Sequence, residues 1–266
     1  MENRLFQVDA FTNEPFKGNP AGVMLTDNAM TADLMQRIAM EMNLSETAFV
    51  FPEGDHYSIR FFTPATEVAL CGHATLSTGH LLYSLGLKKP DESILFKSKA
   101  GDLIIQKEGK LIVMDFPAFE NKPIEIRNDL STYVGFEPIE MYSSNYNWII
   151  AIAESEGQIA KASPPFEALT RAGLGHLMIT SRSNREGIDF VHRCFAPALG
   201  INEDPVTGSA HCALTPLWTG KLGQRELHSY QLSARTGHLW SEYKDGRVLI
   251  KGEAVTMFEI KLGISL

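Results

Sequence analysis

One sequence pattern occurs twice in this chain and constrains its fold more than any other feature. The pattern R-x-F-x-P-A begins at Arg60 and again at Arg193, an offset of 133 residues in a chain of 266. A second pattern, G-x-A, follows each copy, at Gly72 and at Gly208. A repeat of half the chain is far longer than the repeats of solenoids and propellers. The duplication therefore predicts two similar domains, with a functional site where the two copies of this loop face each other.

Composition and charge exclude several classes of protein. The apolar fraction is 44% and the charged fraction 21%, which is typical of globular proteins. A formal net charge of −8 argues against an extended surface for nucleic acid or anionic membranes. The sequence has no signal-peptide pattern and no apolar run long enough to span a bilayer. Its three cysteines form no CxxC pair, which suits a reducing compartment. Together these observations lead us to expect a cytoplasmic protein with no nucleic-acid or membrane partner.

The order of predicted elements indicates an α+β fold. In the first half, Thr31 is a candidate N-cap for a helix ending near Met42, and strands at 47–51 and 58–62 are expected to pair. Gly72 opens a helix to about 85 that has few charges on any face, which is typical of a buried helix. Strands outnumber helices, at roughly two helices per half, without the regular alternation of a doubly wound sheet.

The second half repeats this order with variations. Gly208 is predicted to open a helix through Trp218, which Pro216 should kink or shorten. The polar, proline-bearing segment 117–123 is the candidate linker. We therefore expect an N-terminal domain at 1–118 and a C-terminal domain at 119–255, with a last strand at about 256–266 that returns to the first domain.

The two glycine-initiated helices are candidate anion sites. Backbone N–H groups at a helix start have no intrahelical partner and the macrodipole is positive there, so each start can hold a carboxylate or stabilise an enolate. Gly72 and Gly208 would supply two such ends. The alternative is that both are ordinary tight entries to a helix. Their occurrence as a duplicated pair leaves both interpretations open.

Four side chains near these loops could transfer protons, and each has a purely structural alternative. His73 could donate or accept a proton, or be a core histidine bonded to the backbone. Asp204 could be a base or a turn former before Pro205. Glu46 lies between an apolar helix and an apolar strand, where a carboxylate is partly removed from water, but most such glutamates are solvated. Cys71 could be a thiolate at a helix start or a small core residue.

Other catalytic and cofactor patterns are missing from the sequence. The pair His73 and His80 is seven residues apart and no third metal ligand is evident, so no metal site is predicted. There is no GxGxxG or P-loop pattern for a nucleotide cofactor and no G-x-S-x-G elbow of a hydrolase. The sequence therefore predicts no cofactor.

Several stretches together resemble the phenazine-biosynthesis PhzF-like family, within the diaminopimelate-epimerase-like fold. They span most of the chain, and their combined length makes the resemblance highly specific. The matching residues are 8–11 (VDAF), 15–23 (PFxGNPAGV), 43–49 (NLSETAF), 60–64 (RFFTP), 72–75 (GHAT), 195–197 (FAP) and 203–210 (EDPVTGSA).

The resemblance implies a fold, an activity and a set of site residues. The fold would be two pseudo-symmetric domains, each a mixed β-barrel wrapped around a central helix, with the site in the cleft between them. The activity would be cofactor-independent acid/base isomerisation of a small carboxylic acid, and the protein would be a homodimer. Glu46 would shuttle the proton, assisted by His73 and Asp204. The predicted substrate-binding residues are Gly72, Gly208, Ser209, Cys71 and Asn19.

Two alternatives stay open beside the Glu46-based isomerase. Epimerases of this fold use two facing cysteines, and here Cys71 matches the first, whereas the second loop offers Asp204 and Cys212 lies a helical turn further on. The first alternative is an amino-acid epimerase that uses Cys71 with Asp204 or Glu46. The second is a non-catalytic protein that binds a small carboxylate. By the offset between halves, the counterpart of Glu46 falls near His176.

Overall fold

The computed structural model describes residues 3–263 and divides the chain into two compact units. The first unit comprises residues up to 115 together with those from 251 onward, and the second comprises 116–250. The sequence placed these boundaries at 118 and 255. Of the last strand expected at 256–266, residues 264–266 lie outside the described part of the chain.

The helices and strands follow one another in two similar series. The first series is β1 (Arg4–Ala10), β2 (Asn19–Leu25), α1 (Ala32–Met42), β3 (Thr47–Glu53), β4 (His56–Phe62), β5 (Glu67–Val68), α2 (Gly72–Ser84), β6 (Ile94–Ser98), β7 (Gly101–Glu108) and β8 (Leu111–Pro117). The second series is β9 (Lys122–Ile124), α3 (Leu130–Val134), β10 (Glu140–Ser143), β11 (Ile149–Ile152), α4 (Glu156–Lys161), α5 (Phe166–Arg171), β12 (Leu177–Arg182), β13 (Phe190–Phe195), α6 (His211–Leu222), β14 (Glu226–Gln231), β15 (Gly237–Lys244), β16 (Arg247–Gly252) and β17 (Ala254–Ile260).

Strand pairing in the two units follows the same order. In the first unit, β1 pairs antiparallel with β2 and with β17, β2 runs parallel to β3, β3 antiparallel to β4, β4 parallel to β6, and β6 antiparallel to β7. In the second unit, β10 pairs antiparallel with β9 and with β11, β11 runs parallel to β12, β12 antiparallel to β13, β13 parallel to β14, and β14 antiparallel to β15. The same mixed sheet is therefore built twice, which confirms the predicted α+β fold with two similar domains.

Helix α2 is the centre of the first unit. It begins at Gly72, as the sequence predicted, and is followed by Gly86 in a left-handed conformation at φ 69°. Ten of its residues are buried, among them Leu76, Leu81 and Leu82. It contacts β1, β2, β3, β7 and β17, so the strands surround it. The even distribution of apolar residues around the helix follows from this burial on all faces.

Helix α1 lies on the other side of the first unit's strands. The Thr31 hydroxyl accepts a hydrogen bond from the Leu34 N–H at 3.3 Å, which confirms the predicted N-cap. Met35, Ile38 and Ala39 pack against strand residues that include Phe49 and Phe62. The helix ends at Asn43, whose left-handed backbone turns the chain into the loop before β3.

The helix after Gly208 differs from its prediction at both ends. Residues Gly208–Ala210 form a 3-10 turn, α6 begins at His211, and the helix runs past Pro216 to Leu222. Proline at 216 removes the N–H that would bond the Cys212 carbonyl, but that carbonyl accepts from the Phe119 N–H at 2.7 Å. The Asn121 side chain likewise donates to the Ala213 carbonyl at 2.8 Å. The segment predicted as a linker therefore lies against α6 and donates these hydrogen bonds, so the helix continues through the proline.

The estimate of two helices per half was wrong for the second unit, where α3, α4 and α5 cover one face of the sheet and α6 the other. Helices α3 and α4 have five and six residues, too few to show a helical period in the sequence. One local signal was present for α4, because Ser155 and Gln158 form a capping box. Alternate residues of β11 face the two layers, with Ile150 toward α6 and Ala151 toward the other helices.

Candidate active site

Glu46 is held at the entry to β3 by its own backbone. The Gly22 N–H donates to the Glu46 carbonyl at 3.1 Å, which extends the parallel β2–β3 pairing by one residue. Its side chain remains 16% exposed. The carboxylate is therefore fixed at the edge of the sheet, largely out of water but open to it.

The start of α2 places His73 beside that carboxylate. Nε2 of His73 lies 3.5 Å from Oε2 of Glu46, and the His73 side chain is 9% exposed. The Ser45 hydroxyl lies 3.4 Å from the same nitrogen. On the other edge of the ring, Nδ1 lies 3.4 Å from Sγ of Cys71. The imidazole therefore bridges a carboxylate and a thiol, so a proton can pass along the chain Glu46–His73–Cys71.

The backbone at the start of α2 is uncapped by side chains. Cys71 occupies the N-cap position and makes no side-chain capping hydrogen bond. A Cβ added to Gly72 would meet no protein atom within 4 Å, and its φ is not in the left-handed range. The fold itself therefore does not require glycine at this position. Free N–H groups, a positive helix end and open space beside Gly72 together suit a carboxylate ligand.

Asn19 lies in the same unit but inside the sheet. It is the first residue of β2, pairs with Ala10 and is fully buried. A Cβ on the preceding Gly18 would approach the Ala10 carbonyl oxygen to 2.2 Å, and φ there is +70°, so the chain needs glycine for this close approach. Asn19 therefore begins its strand directly after a turn that depends on glycine.

The loop after β13, which follows the second copy of the R-x-F-x-P-A pattern, holds Asp204 in a hydrogen-bonded turn. The Thr207 hydroxyl donates to Asp204 Oδ2 at 2.7 Å, and the Asp204 N–H donates to the Cys194 carbonyl at 3.0 Å. Gln231 clamps the loop from β14, because its amide donates to the Asp204 carbonyl and accepts from the Thr207 N–H, both at 2.7 Å. Gly208 is buried at the start of the 3-10 turn, whereas Ser209 is exposed.

Structural correspondence between the units identifies the counterpart of each site residue. Thr207 precedes Gly208 as Cys71 precedes Gly72, so a hydroxyl stands at the position of the thiol. Ile149 N–H donates to the His176 carbonyl at 2.9 Å, the same bond that Gly22 makes to Glu46. This confirms His176 as the residue that corresponds to Glu46. Of the candidate catalytic groups, the first unit therefore has carboxylate, imidazole and thiol close together, and the second unit has different groups at the same positions.

The arginine of each copy of the R-x-F-x-P-A pattern forms an ion pair that stabilises the loop after it. Arg60 makes a bidentate pair with Glu67 at 2.7 and 2.9 Å, and Arg193 makes the same pair with Glu203 at 2.7 and 2.8 Å. Each guanidinium also lies over a phenylalanine ring two residues along, at 5.3 Å from the Phe62 centroid in the first unit. Hydrogen bonding from Arg60 lowers the pKa of Glu67 to about 2. The repeated arginine is therefore a structural residue.

Three donors in the first unit have the chemistry of metal ligands. One ligand atom from each of Glu46, Cys71 and His73 lies within 4.8 Å of the other two. From spacing in the sequence, the metal ligand considered with His73 was His80. The group of Glu46, Cys71 and His73 was missed because Glu46 comes from a loop distant along the chain. Sequence reasoning also missed Ser45 and Gln231. Ser45 could have been found as the neighbour of Glu46, but Gln231 has no local signal.

The strand-rich α+β fold with two similar units is shared by solved structures of very different sequence. A probable proline racemase from Agrobacterium radiobacter, 10% identical, has a similar fold, with a TM-score of 0.65 over 99% of this chain and 94% of that chain. The chain belongs to the phenazine biosynthesis-like protein family, whose model matches residues 8–260. The family predicted from the sequence motifs is therefore confirmed.

Closer relatives agree with this assignment. A protein of Halalkalibacterium halodurans named as an uncharacterized isomerase is 42% identical over 263 residues, 98% of this chain and 99% of that protein. The crystal structure of a PhzF-family phenazine biosynthesis protein from Enterococcus faecalis is 39% identical, with a TM-score of 0.92 over 98% of this chain and 100% of that chain. This chain is an isomerase of the family. Within residues 3–263, no helix has the length and apolar character needed to cross a membrane.

Proposed function

We propose that this isomerase moves a proton between carbons of a small carboxylic acid, with Glu46 as the group that takes and returns the proton. The observation that carries the proposal is the 3.5 Å separation between Oε2 of Glu46 and Nε2 of His73, both largely buried at the start of α2. A general base must be held in place and kept partly out of water to act efficiently. His73 holds the carboxylate, and the Ser45 hydroxyl lies 3.4 Å from the same ring nitrogen. The α2 start offers a place for the substrate's own carboxylate.

The proposed reaction transfers one proton without loss of any atom. The Glu46 carboxylate takes a proton from a substrate carbon, so a C–H bond breaks and an O–H bond forms. The electron pair of that bond passes into the π-system conjugated with the substrate carboxylate, whose added negative charge is stabilised by the N–H groups beginning at Gly72. Protonated Glu46 then returns the proton to a different carbon. His73 keeps the carboxyl group oriented during both steps.

A second candidate is favoured by the contact between Cys71 and His73. Sγ lies 3.4 Å from Nδ1, so the imidazole could accept the thiol proton and leave a thiolate as base. That chemistry suits an amino-acid epimerase. A pair of thiols is disfavoured because Thr207 stands at the position that corresponds to Cys71. Glu46, beside the other nitrogen of the imidazole, would then be the second base.

The test is proton exchange with solvent. The protein is incubated in D₂O with a panel of cyclic unsaturated acids and amino acids, and deuterium uptake is followed by NMR. We expect Glu46→Gln to slow uptake by at least about a hundredfold, the usual contribution of a general base, and Cys71→Ser to leave it near normal. The matched control is Glu53→Gln, the same substitution at an exposed glutamate at the far end of β3.

Each outcome separates the candidates. Uptake that persists in Glu46→Gln and disappears in Cys71→Ser would establish the thiol epimerase and reject the Glu46 proposal. If the wild-type protein binds an acid from the panel but exchanges no proton with water, the chain is a binding protein and neither mechanism holds. Loss of uptake in the Glu53→Gln control would show that the effect of Glu46→Gln is not specific to the site.

A further inference from the structure

The group formed by Glu46, His73 and Cys71 has the donor chemistry that zinc prefers. Zn²⁺ binds carboxylate oxygen, imidazole nitrogen and thiolate sulfur, and three protein ligands with one open position are a common arrangement. Magnesium and calcium take oxygen ligands almost exclusively, so a sulfur and a nitrogen donor disfavour them. Two of the donors, the carboxylate and the thiolate, would bring two negative charges to the two positive charges of the ion.

The distance between the Glu46 and His73 donors is close to that of a tetrahedral site, and the Cys71 donor lies further away. Bond lengths of about 2.0–2.3 Å at tetrahedral angles put neighbouring donors roughly 3.3–3.6 Å apart. Here Nε2 of His73 lies 3.5 Å from Oε2 of Glu46 and 3.9 Å from Sγ of Cys71. All three residues offer ligand atoms within 4.8 Å of one another. Sγ of Cys71 lies closer to Nδ1, at 3.4 Å, so the Cys71 side chain must rotate about χ1 toward Nε2 for one ion to contact all three donors.

The site also has an entry and backbone support. The Glu46 side chain is 16% exposed, so an ion can arrive from solvent. Both backbone segments are fixed, since the Glu46 carbonyl is bonded to Gly22 and the Cys71 carbonyl accepts from the Thr75 N–H and hydroxyl at 3.1 and 2.7 Å. The backbone that carries the donors therefore needs little ordering on binding, which favours affinity.

We infer that the first unit binds one Zn²⁺ ion through Glu46, Nε2 of His73 and the Cys71 thiolate, and that this binding excludes proton transfer by Glu46. A carboxylate that ligates zinc no longer has its lone pairs available as a base, and His73 is held by the metal. The zinc form is thus an inhibited form. The binding itself is independent of the proposed isomerisation and can be tested without a substrate.

The binding experiment uses the reduced full-length protein near pH 7. Zn²⁺ affinity is measured by competition with a chromophoric chelator, and Co²⁺ is added separately as a spectroscopic probe. We expect one ion per chain and a thiolate-to-cobalt charge-transfer band in the near ultraviolet. Cys71→Ser should remove that band, and both Cys71→Ser and Glu46→Gln should weaken zinc binding by at least about tenfold, the smallest loss that disturbing even an outer-shell partner produces.

The matched control is a substitution at His228, which lies beside His238 in the other unit. Nε2 of His228 lies 3.1 Å from Nδ1 of His238, close enough to compete for a divalent ion. His228→Asn should leave the high-affinity ion and the charge-transfer band unchanged. Cys194 and Cys212 are 0% and 3% exposed, so neither is expected to contribute sulfur to a bound ion.

Two results would overturn the inference. Zinc affinity that is unchanged in both Cys71→Ser and Glu46→Gln, or lost in His228→Asn, would place the ion elsewhere. A wild-type cobalt complex without a thiolate band would exclude Cys71 as a ligand whether or not the variants fold. Where the exchange assay gives a substrate, saturating Zn²⁺ should suppress deuterium uptake and a chelator should restore it. Where it gives none, the binding result still stands or falls by itself.

Discussion

The ring of His73 shows how a single residue is given its role by contacts that are not local in sequence. One ring nitrogen meets Glu46 and Ser45, which precede β3, and the other meets Cys71, two residues before it. Without the β3 loop, His73 would be an ordinary histidine in the first turn of a helix. Its position between a carboxylate and a thiol is what makes proton transfer and metal binding competing uses of one site.

His211 offers a test of residue-scale electrostatics away from this site. It is fully buried at the start of α6, where Nε2 lies 2.6 Å from the Ser229 hydroxyl. Burial lowers the pKa of His211 from 6.5 to about 4. Between pH 4 and pH 6.5, His211 is mostly protonated in the unfolded chain and mostly neutral in the folded chain. The free energy of unfolding should therefore fall by roughly 3 kcal/mol from this group as the pH drops from 6.5 to 4.

The measurement is denaturant unfolding at several pH values, with His211→Gln as the comparison because glutamine keeps an N–H donor and does not titrate. We expect the stability of the variant to decline less steeply over this window. Glu67 titrates with a pKa of about 2 in both proteins, so its contribution cancels. Two parallel profiles between pH 6.5 and 4 would show that His211 is protonated in the folded state.

At the scale of elements, the start of α2 can be separated from its packing by two glycines. A Cβ at Gly72 would meet no protein atom within 4 Å, whereas a Cβ at Gly79 would lie 2.9 Å from Ile105 Cγ2 and 3.3 Å from Ile112 Cγ2. Gly72→Ala should stabilise the fold by about 0.4–1 kcal/mol, through the unfolded chain. Gly79→Ala should lose about 1–2 kcal/mol, because overpacking outweighs the gain in helix propensity.

Activity should change in the opposite sense. If the substrate carboxylate binds the N–H groups at the start of α2, the new methyl group of Gly72→Ala displaces it and lowers the exchange rate by up to about a hundredfold. Gly79→Ala should exchange protons normally at temperatures where it is folded. Thermal melts and the deuterium assay on the same samples check both expectations. Normal exchange in Gly72→Ala would move the carboxylate site away from this helix end.

Helix α6 shows that an element can override its own sequence. Pro216 predicts a kinked or shortened helix, but the Cys212 carbonyl, which loses its helical partner, receives a hydrogen bond from the Phe119 N–H, and the Ala213 carbonyl accepts from the Asn121 side chain. These donors belong to the segment predicted as a linker, which lies against the helix. The cost of a proline inside a helix is in large part an unsatisfied carbonyl, so a neighbouring donor removes much of it.

For the whole molecule, the duplicated arginine brace predicts related but unequal stabilities in the two units. Both guanidinium groups pair with a carboxylate through two hydrogen bonds. Arg193 also donates to the Ile159 and Ala162 carbonyls at the end of α4, and its side chain is 12% exposed against 27% for Arg60. Lysine cannot make a fork of hydrogen bonds, so Arg60→Lys should cost roughly 1–2 kcal/mol and Arg193→Lys more.

Hydrogen exchange read by peptide mass spectrometry can follow each unit by itself, which a single unfolding midpoint cannot. We expect Arg60→Lys to speed exchange mainly in β4 and Arg193→Lys to speed it in β13 and α4. An equal or larger effect of Arg60→Lys would contradict the role given to the extra carbonyl contacts of Arg193.

Much of this architecture could be predicted from the sequence because its signals are local or repeated. The Thr31 cap, the buried helix from Gly72 and the pairing of β3 with β4 each depend on neighbouring residues or on a simple period. The correspondence of Glu46 with His176 followed from the length of the repeat. Short helices such as α4 escaped, because six residues show no period.

The sequence by itself determined the fold family, the duplication and the loops that carry the site, because motif spacing and apolar pattern are properties of the chain. Tertiary structure alone decided that Glu46 lies beside His73 and Cys71 and that Pro216 is tolerated. These outcomes depend on distances of a few ångströms between segments remote along the chain. Such distances are set by packing of the whole unit, and no local pattern encodes them.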